Sequence, residues 1–365
     1  MYNSSFSHQV ILEFTNSFQE HRKDLSAVLL MPEKQLWLGS DETSTIERLS
    51  LADTGKFTNH QQFKVSEFIP LPAPEDEEID IEGLSYADNY LWFVGSHSYK
   101  RKKPKPQHPD IKNIQRLTKV TTEPNRYILG RIPLINGQLF ASYPHPQNPD
   151  LLLTAAKLEL TTTGNVLMTA LADDPHLGFF VKAAIPGKDN GFDIEGIAID
   201  QNRIFLGLRG PVLRGWAIIL EIELENSNLG LMTLRLIGEG NKNYKKHFLW
   251  LNGLGIRDLC LDGENLLILA GPTMDLDGPV QVYHWQNASK MAENLLHYPE
   301  FIQNIPFGHR EDHAEGMTLF HQIAEKPALL IIYDSPAPTR LLGEASVVAD
   351  VFELRMGDGE TGKNK

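Results

Sequence analysis

Five carboxylates recur along this chain, each opening a short apolar run: Asp24 in KDLSAVLL, Glu82 in DIEGLSYA, Glu195 in DIEGIAID, Asp258 in IRDLCLDG and Glu315 in HAEGMTLF. Polar residues flank them, notably Asp80, Asp193, Arg257 and His313. Brought together, such groups would repel: two charges ~5 Å apart cost about 3 kcal/mol at an effective dielectric of about 20. Arginines, shared protons or a bound cation must offset that cost. Carboxylates with backbone and hydroxyl oxygens suit a hard cation, Ca²⁺ more than Mg²⁺. The first expectation is therefore a metal site near Glu82, Glu195, Asp258 and Glu315, with Asp24, Asp80, Asp193, Arg257 and Asp334 contacting a ligand. His97 and His313 are the candidates for proton transfer and Arg209 for binding an anion, and all three are catalytic candidates. The competing expectation is structural, each acid capping backbone N–H groups of its neighbour.

The elements that would position these groups read as strands. After each carboxylate run and a turn comes a second apolar run: LWLGSDE, LWFVGSHS, IFLGLRGP, LLILAGPT and LLIIYDSP. A third follows: TIERLSL, RYILGRIPL, AIILEIEL, VQVYHW and VADVFEL. Runs of 4–8 apolar or alternating residues between turn residues are strand signals. The carboxylates are 58, 113, 63 and 57 residues apart, and a unit of ~40–60 residues with three or four antiparallel strands is the size of a propeller blade. The gap of 113 holds either an insertion or a sixth, degenerate blade. Residues 163–181 repeat apolar positions at three and four, behind an Asn165 cap, so a helical insertion is expected there.

The expectation is an all-β fold, a single closed propeller over residues 9–355 with five blades, or six, and an insertion at about 139–190. The opening run QVILEF would complete the last blade and remove an open sheet edge. Residues 356–365 are expected to form a disordered tail. In a propeller the first strands line the channel, and the end of each second strand lies beside the start of the first. That puts Ser40, Asp41, Ser96, His97, Arg209, Thr273, Asp334 and Ser335 at the carboxylate mouth.

Composition narrows the function. The chain has 365 residues, 34 Lys+Arg against 47 Asp+Glu, 41% apolar residues and one Cys, Cys260. A net charge of −13 speaks against nucleic-acid binding, which depends on neutralising phosphates. No apolar run reaches the ~18 residues of a membrane helix, and no signal peptide opens the chain, so a cytoplasmic location is expected. One Cys excludes an intramolecular disulfide and Cys-rich zinc modules. GDGETGK (357–363) lacks the Ser/Thr and helix of a phosphate loop, there is no G-x-S-x-G elbow or dinucleotide fingerprint, and neither a nucleotide cofactor nor haem is expected. HREDH (309–313) has His-x₃-His spacing without a helix to present it to zinc. KRKKPKP (100–106) reads as a solvated loop, or as a cap that attracts an anionic ligand or partner.

NGFDIEGIAI (190–199), FLGLRGPVLRGWA (205–217), GIRDL (255–259), AGPTMDLDGP (270–279), HAEGM (313–317) and DDPHLGFF (173–180) resemble the DUF3616 family of bacterial proteins, frequent in cyanobacteria. The resemblance runs from about Asp24 to Leu354 and implies a propeller-like fold without an established activity. The D-x-E-G element further resembles that of esterase-like-phytase propellers and other calcium-holding propeller hydrolases, through Asp80 with Glu82 and Asp193 with Glu195. The Asp24, Asp258 and Glu315 units depart from it. Two functions follow as expectations: hydrolysis of an ester or phosphoester at a Ca²⁺ site, or a non-catalytic scaffold that binds a small molecule or protein partner.

Overall fold

The computed structural model describes residues 6–321, 323 and 326–354. The tail 356–365 and its GDGETGK segment lie outside the described residues. Strands dominate, with three short α-helices among the described residues. Strand pairing gathers them into antiparallel units of four. The first unit is Leu25–Leu30, Gln35–Ser40, Thr45–Leu51 and Phe57–Lys64. The second is Ile81–Ala87, Tyr90–Gly95, Leu129–Ile135 and Ala156–Leu158. The third is Asp193–Asp200, Arg203–Gly210, Trp216–Asn228 and Lys245–Trp250. The fourth is Gly255–Asp262, Asn265–Gly271, Val280–Trp285 and Glu300–Ile305. The last unit takes His313–Leu319, Ala328–Asp334 and Ser346–Glu353 from the end of the chain and Phe6–Glu13 from its start.

That last pairing sets Val10 opposite Ala349 and Leu12 opposite Val347, so the opening run completes the sheet begun at the other end. Each first strand packs beside two others: Leu25–Leu30 against Ile81–Ala87, that against Asp193–Asp200, and onward through Gly255–Asp262 and His313–Leu319 back to Leu25–Leu30. Apolar faces of adjacent units interlock between the sheets, for example Leu84, Leu91 and Phe93 with Ala27, Trp37 and Ile46. Burial of these faces is the main favourable contribution to folding.

The stretch 163–181 is helical in two pieces, Val166–Leu171 and Gly178–Lys182. Asn165 caps the first, its Oδ1 accepting from Leu167 and Met168 N–H at 3.0 and 3.1 Å. The region read as an insertion, 139–190, also contains Ala156–Leu158, the fourth strand of the second unit. Residues 100–121 form an excursion: Lys100–Arg101 pairs with Val120–Thr121, and the helix Asp110–Leu117 stands between them.

Candidate functional site

Every first strand slips register near its start, the third unit's twice. The residues passed over are Ser26, Glu82, Glu195 with Gly196, Arg257 and Glu315. A bulge re-aims its residue and bends the strand, and here the five bulges occupy equivalent positions at one end. The structural equivalents are therefore Ser26, Glu82, Glu195, Arg257 and Glu315, not the five carboxylates aligned by sequence. Asp258 sits one place further on, where the other units have Ala27, Gly83, Gly196 and Gly316. Its carboxylate accepts from Leu259 N and from Met317 N of the next first strand, both at 2.8 Å. The glycines at that level have a steric reason. A Cβ on Gly83 would lie 2.8 Å from Ile197 N, and one on Gly196, at φ +104°, 2.8 Å from Leu259 N.

The bulge residues form a graded charge cluster. Arg257 Nη1 donates to Glu195 Oε2 at 2.9 Å, and its Nη2 lies 3.0 Å from Glu315 Oε1. Arg209 Nη1 donates to Glu195 Oε1 at 2.7 Å and its Nε to the Thr273 carbonyl at 3.0 Å. Ser26 Oγ donates to the Ile81 carbonyl at 2.5 Å. Glu82 is 8% exposed and has no hydrogen bond or ion pair among the described residues. Burial, then Asp80, Glu195, Glu315 and Asp41, push its carboxyl well above the usual range.

Asp80 pairs with Arg126, which also donates to Glu78 at 2.7 Å and Ser98 at 2.8 Å. Asp193 lies under the loop 186–191, where a Cβ on Gly187 would come 2.1 Å from its Oδ2; its Oδ1 is buried without a partner. Burial, then Glu195, raise Asp193 to about 7. Glu315 also rises to about 7 through burial, with Asp334 and Glu195 adding to it and Arg257 opposing. Asp41 is raised well above its ordinary value by burial, then Asp334 and Asp80. Against burial, Arg209 and Arg257 hold Glu195 below the ordinary carboxylate range.

The loop Pro186–Gly191 supplies a further cation. Gly187 N donates to the Tyr99 carbonyl at 2.9 Å, and Asp189 bridges to Met274, fixing both sides of Lys188. Lys188 makes no close ion pair among the described residues. Against burial and Arg209, it is held protonated by Glu315, Asp334 and Asp41. Asp41, Asp80, Glu82, Asp193, Glu195, Glu315 and Asp334 thus face Arg126, Arg209, Arg257 and Lys188: seven carboxylates and four cations. Lys188 escapes the sequence reading because it lies on a loop outside the repeat, and Arg126 because it opens the run read as a third strand, RYILGRIPL, whereas it sits in the 3-10 turn Pro124–Tyr127 before that strand. Glu123-Pro124 before Arg126, and Pro186-Gly187 before Lys188, are the only local marks of that turn and that loop.

The predicted proton carriers fare differently. His97 is buried: its Nδ1 bonds the Gly95 carbonyl at 2.6 Å and its Nε2 accepts from Asn165 Nδ2 at 2.7 Å. Burial lowers it to about 4, so it braces the helix cap and has no nitrogen free for a substrate. His313 stands 4.0 Å from Asp334 and 3.7 Å from Asp277, which also meets His309 at 2.6 Å. Asp24 bridges to Asp334 through the backbone and is raised to about 6 by burial, then Asp334. No group of three or more His, Cys, Asp or Glu among the described residues is arranged to hold a metal ion. Lys100 is tied to Glu78 at 2.6 Å and Glu123 at 2.8 Å, and Arg101 to Asp189 at 2.8 Å, so the start of the basic run is neutralised locally. No helix among the described residues is long and apolar enough to cross a membrane.

Repeated four-stranded units converging through bulged first strands define a propeller-like, all-β protein. The sequence model of the family described as "Protein of unknown function (DUF3616)" matches residues 24–350, and the chain belongs to that family. No curated protein matches the sequence. Solved structures that resemble the fold include Kuenenia stuttgartiensis hydrazine synthase, at 10% identity over 85% of this chain and 56% of that one, TM-score 0.34. Virginiamycin B lyase from Staphylococcus aureus shares 12% identity over 95% of this chain and 99% of its own, TM-score 0.34. An exo-1,5-α-L-arabinanase from a bovine ruminal metagenomic library shares 9% over 96% and 94%, TM-score 0.38. None of these likenesses bears on what this chain binds or does.

Proposed function

We propose that residues 9–355 form one closed five-bladed propeller whose bulge-lined mouth binds a positively charged small ligand. The observation that carries this is Glu82, nine-tenths buried among like charges, its side chain without a hydrogen-bond or ion-pair partner among the described residues. Such a group takes up a proton or a cation, and a ligand's positive charge would supply what the four protein cations do not. Glu82 and Asp41 are the primary contacts in this reading. Asp258 and Glu195 leave the ligand set, since backbone amides and arginines already hold them. The charge could belong to a hard divalent ion such as Ca²⁺ or to an organic ammonium group.

Thermal melts at about pH 8, where the carboxyls are most ionised, test the proposal with CaCl₂, MgCl₂ and putrescine as probes. A ligand at 100 times its Kd adds about 2.7 kcal/mol of stability. A rise in Tm with one probe, abolished in Glu82→Gln, is expected, and the responding probe identifies the source of the charge. Unchanged melts with all three would mean that protons alone balance the mouth, and the reading fails.

A second reading rests on the pair bridged by Arg257. Glu315 at about 7 can hold a proton at neutral pH while Glu195 stays ionised, the division of labour that acid–base hydrolysis uses. In this reading the mouth cleaves an ester or phosphoester with Glu315 as proton donor. An esterase and phosphatase screen whose pH profile moves in Glu315→Asp would support it; equal turnover by Glu315→Gln and wild type would remove it.

A further inference from the structure

We propose that the fourth unit carries a second ligand site, independent of the mouth, that takes a neutral saccharide. A cleft of about 730 Å³ opens along its outermost strand pair, lined by Asn252, Pro279, Gln281, Phe301, Asn304 and Phe307 among others. Small-molecule sites fall at roughly 300–1,000 Å³ with a few placed polar groups on mostly apolar walls. No charged side chain lines this cleft, on a molecule of net charge −13, so its complement is a neutral ligand.

The polar groups form one directed chain. Asn252 Nδ2 donates to Tyr283 Oη at 2.8 Å, Tyr283 Oη donates to Gln281 Oε1 at 2.6 Å, and Gln281 Nε2 donates to Asn304 Oδ1 at 3.0 Å. Fixed this way, the chain leaves an acceptor, Asn252 Oδ1, at one end and a donor, Asn304 Nδ2, at the other, neither partnered among the described residues. A sugar hydroxyl donates and accepts at once and matches both ends. The aromatic wall is also placed by the sequence. Val282 pairs with Gln303 but Tyr283 pairs with Phe301, so Ile302 is passed over. Ile302 packs towards the core, and Phe301 lies across Tyr283 with ring centroids 5.9 Å apart. Phe301 and Phe307 stay exposed at 43% and 45%. Flat, apolar rings beside planar amides suit the C–H faces and hydroxyl edges of a pyranose.

A line of rings stands close by in sequence. Trp250, two residues before Asn252, meets Trp216 at 5.3 Å, and Trp216 meets Tyr298 at 5.4 Å. Gly215, at φ +94°, lets the chain lie on the Trp250 ring, where a Cβ would come within 2.8 Å. Tyr298 is 71% exposed. Scattered apolar side chains are ordinary on a surface, but three rings in contact with one another, with Trp250 two residues from the cleft-lining Asn252, would suit a further sugar unit.

Titration of the full chain with maltohexaose, cellohexaose and xylohexaose, followed by tryptophan fluorescence and calorimetry, tests the proposal, with a proline-rich decapeptide as the competing probe. One hexaose should saturate, and Phe307→Ala and Asn304→Ala should each weaken it by about tenfold or more. Phe307 is exposed and Asn304 half-buried, and a melt confirms that each variant folds. Glu82→Gln should bind the saccharide as wild type does, which separates this site from the mouth. Failure of all three saccharides to saturate by about 10 mM, wild-type affinity in both variants, or peptide binding in place of sugar would each overturn it.

Discussion

Glu221 and Glu82 are both buried glutamates in repeated strands, yet their surroundings are opposite. Glu221, on the third strand of its unit, accepts from Arg203 Nε and Nη2 at 2.9 and 2.8 Å, Lys245 at 3.2 Å and His247 at 2.9 Å. Those partners outweigh burial and hold it at about 2. Third strands elsewhere repeat the device: Glu47 meets His60 at 2.6 Å and Gln62 at 3.1 Å, and Asp350 meets Gln9 at 3.0 Å and Arg340 at 2.7 Å. In each case the fourth strand supplies a partner, so these acids sew the outer two strands together. At the mouth Glu195 takes Arg209 from its own sheet, whereas Glu82 gets no such partner among the described residues and faces other acids. A buried acid with all its lone pairs engaged is part of the frame; one left open is held for something else.

Neutralising the two acids should break this symmetry most visibly. Glu221→Gln strands Arg203 and Lys245 beside a neutral amide, and loss of one partner from a buried ion pair costs about 3–5 kcal/mol. Glu82→Gln removes an unpartnered charge and should leave stability unchanged or raise it by about 1 kcal/mol. Urea unfolding of both variants decides. Similar losses in the two would mean that Glu82 is also structural.

Asp258 sharpens the comparison at a smaller scale, because it lies on a first strand yet behaves like the outer acids. Asp258→Gly restores the small residue that the equivalent positions of the second, third and last units carry and gives up two buried hydrogen bonds, a loss of about 1–3 kcal/mol. Cation binding at the mouth should be unaffected. A variant of normal stability that no longer responds to the cation would return Asp258 to the ligand set.

Asp258 also shows where the sequence could be read and where it could not. First, second and third strands announce themselves as apolar runs between turns, because both of their faces are buried. Fourth strands lie outermost in their units, and FTNHQQFK (57–64) mostly mixes exposed and half-buried residues with little apolar signal. Ala156–Leu158 is only three residues long. The mouth was legible as a recurrence of acids, but its register was not. IRDL and DIEG align by their acids, whereas the backbone aligns Arg257 with Glu82 and Glu195. A one-residue slip inverts which side chain reaches the mouth, and only the pairing of strands fixes it. Lys188 carries no periodic mark at all, Arg126 is hidden at the head of a strand run, and His97 has the type and position of a catalyst while its contacts make it a brace.

The weakest effect separates the two kinds of buried group by pH. Glu315 and Asp193 titrate near 7 in the folded chain, above their ordinary 4.5 and 3.8. The stability that their protons confer is fully present below about pH 4 and is lost as pH rises through about 7. His97 and His297 are lowered by burial from 6.5 to about 4. Their contribution is fully present above about pH 6.5 and is lost as pH falls through about 4. Between those limits the two trends oppose each other, so wild-type Tm should vary little. Glu315→Gln should tilt the curve towards higher stability at alkaline pH, and His297→Gln towards higher stability at acid pH. A cation bound at the mouth should raise Tm at pH 8 more than at pH 5 in wild type, since it replaces protons that the carboxyls have given up. Melting curves of the three proteins across this range, with and without the responding cation, check both slopes. Parallel curves would mean that mouth and brace do not differ in the protons they hold.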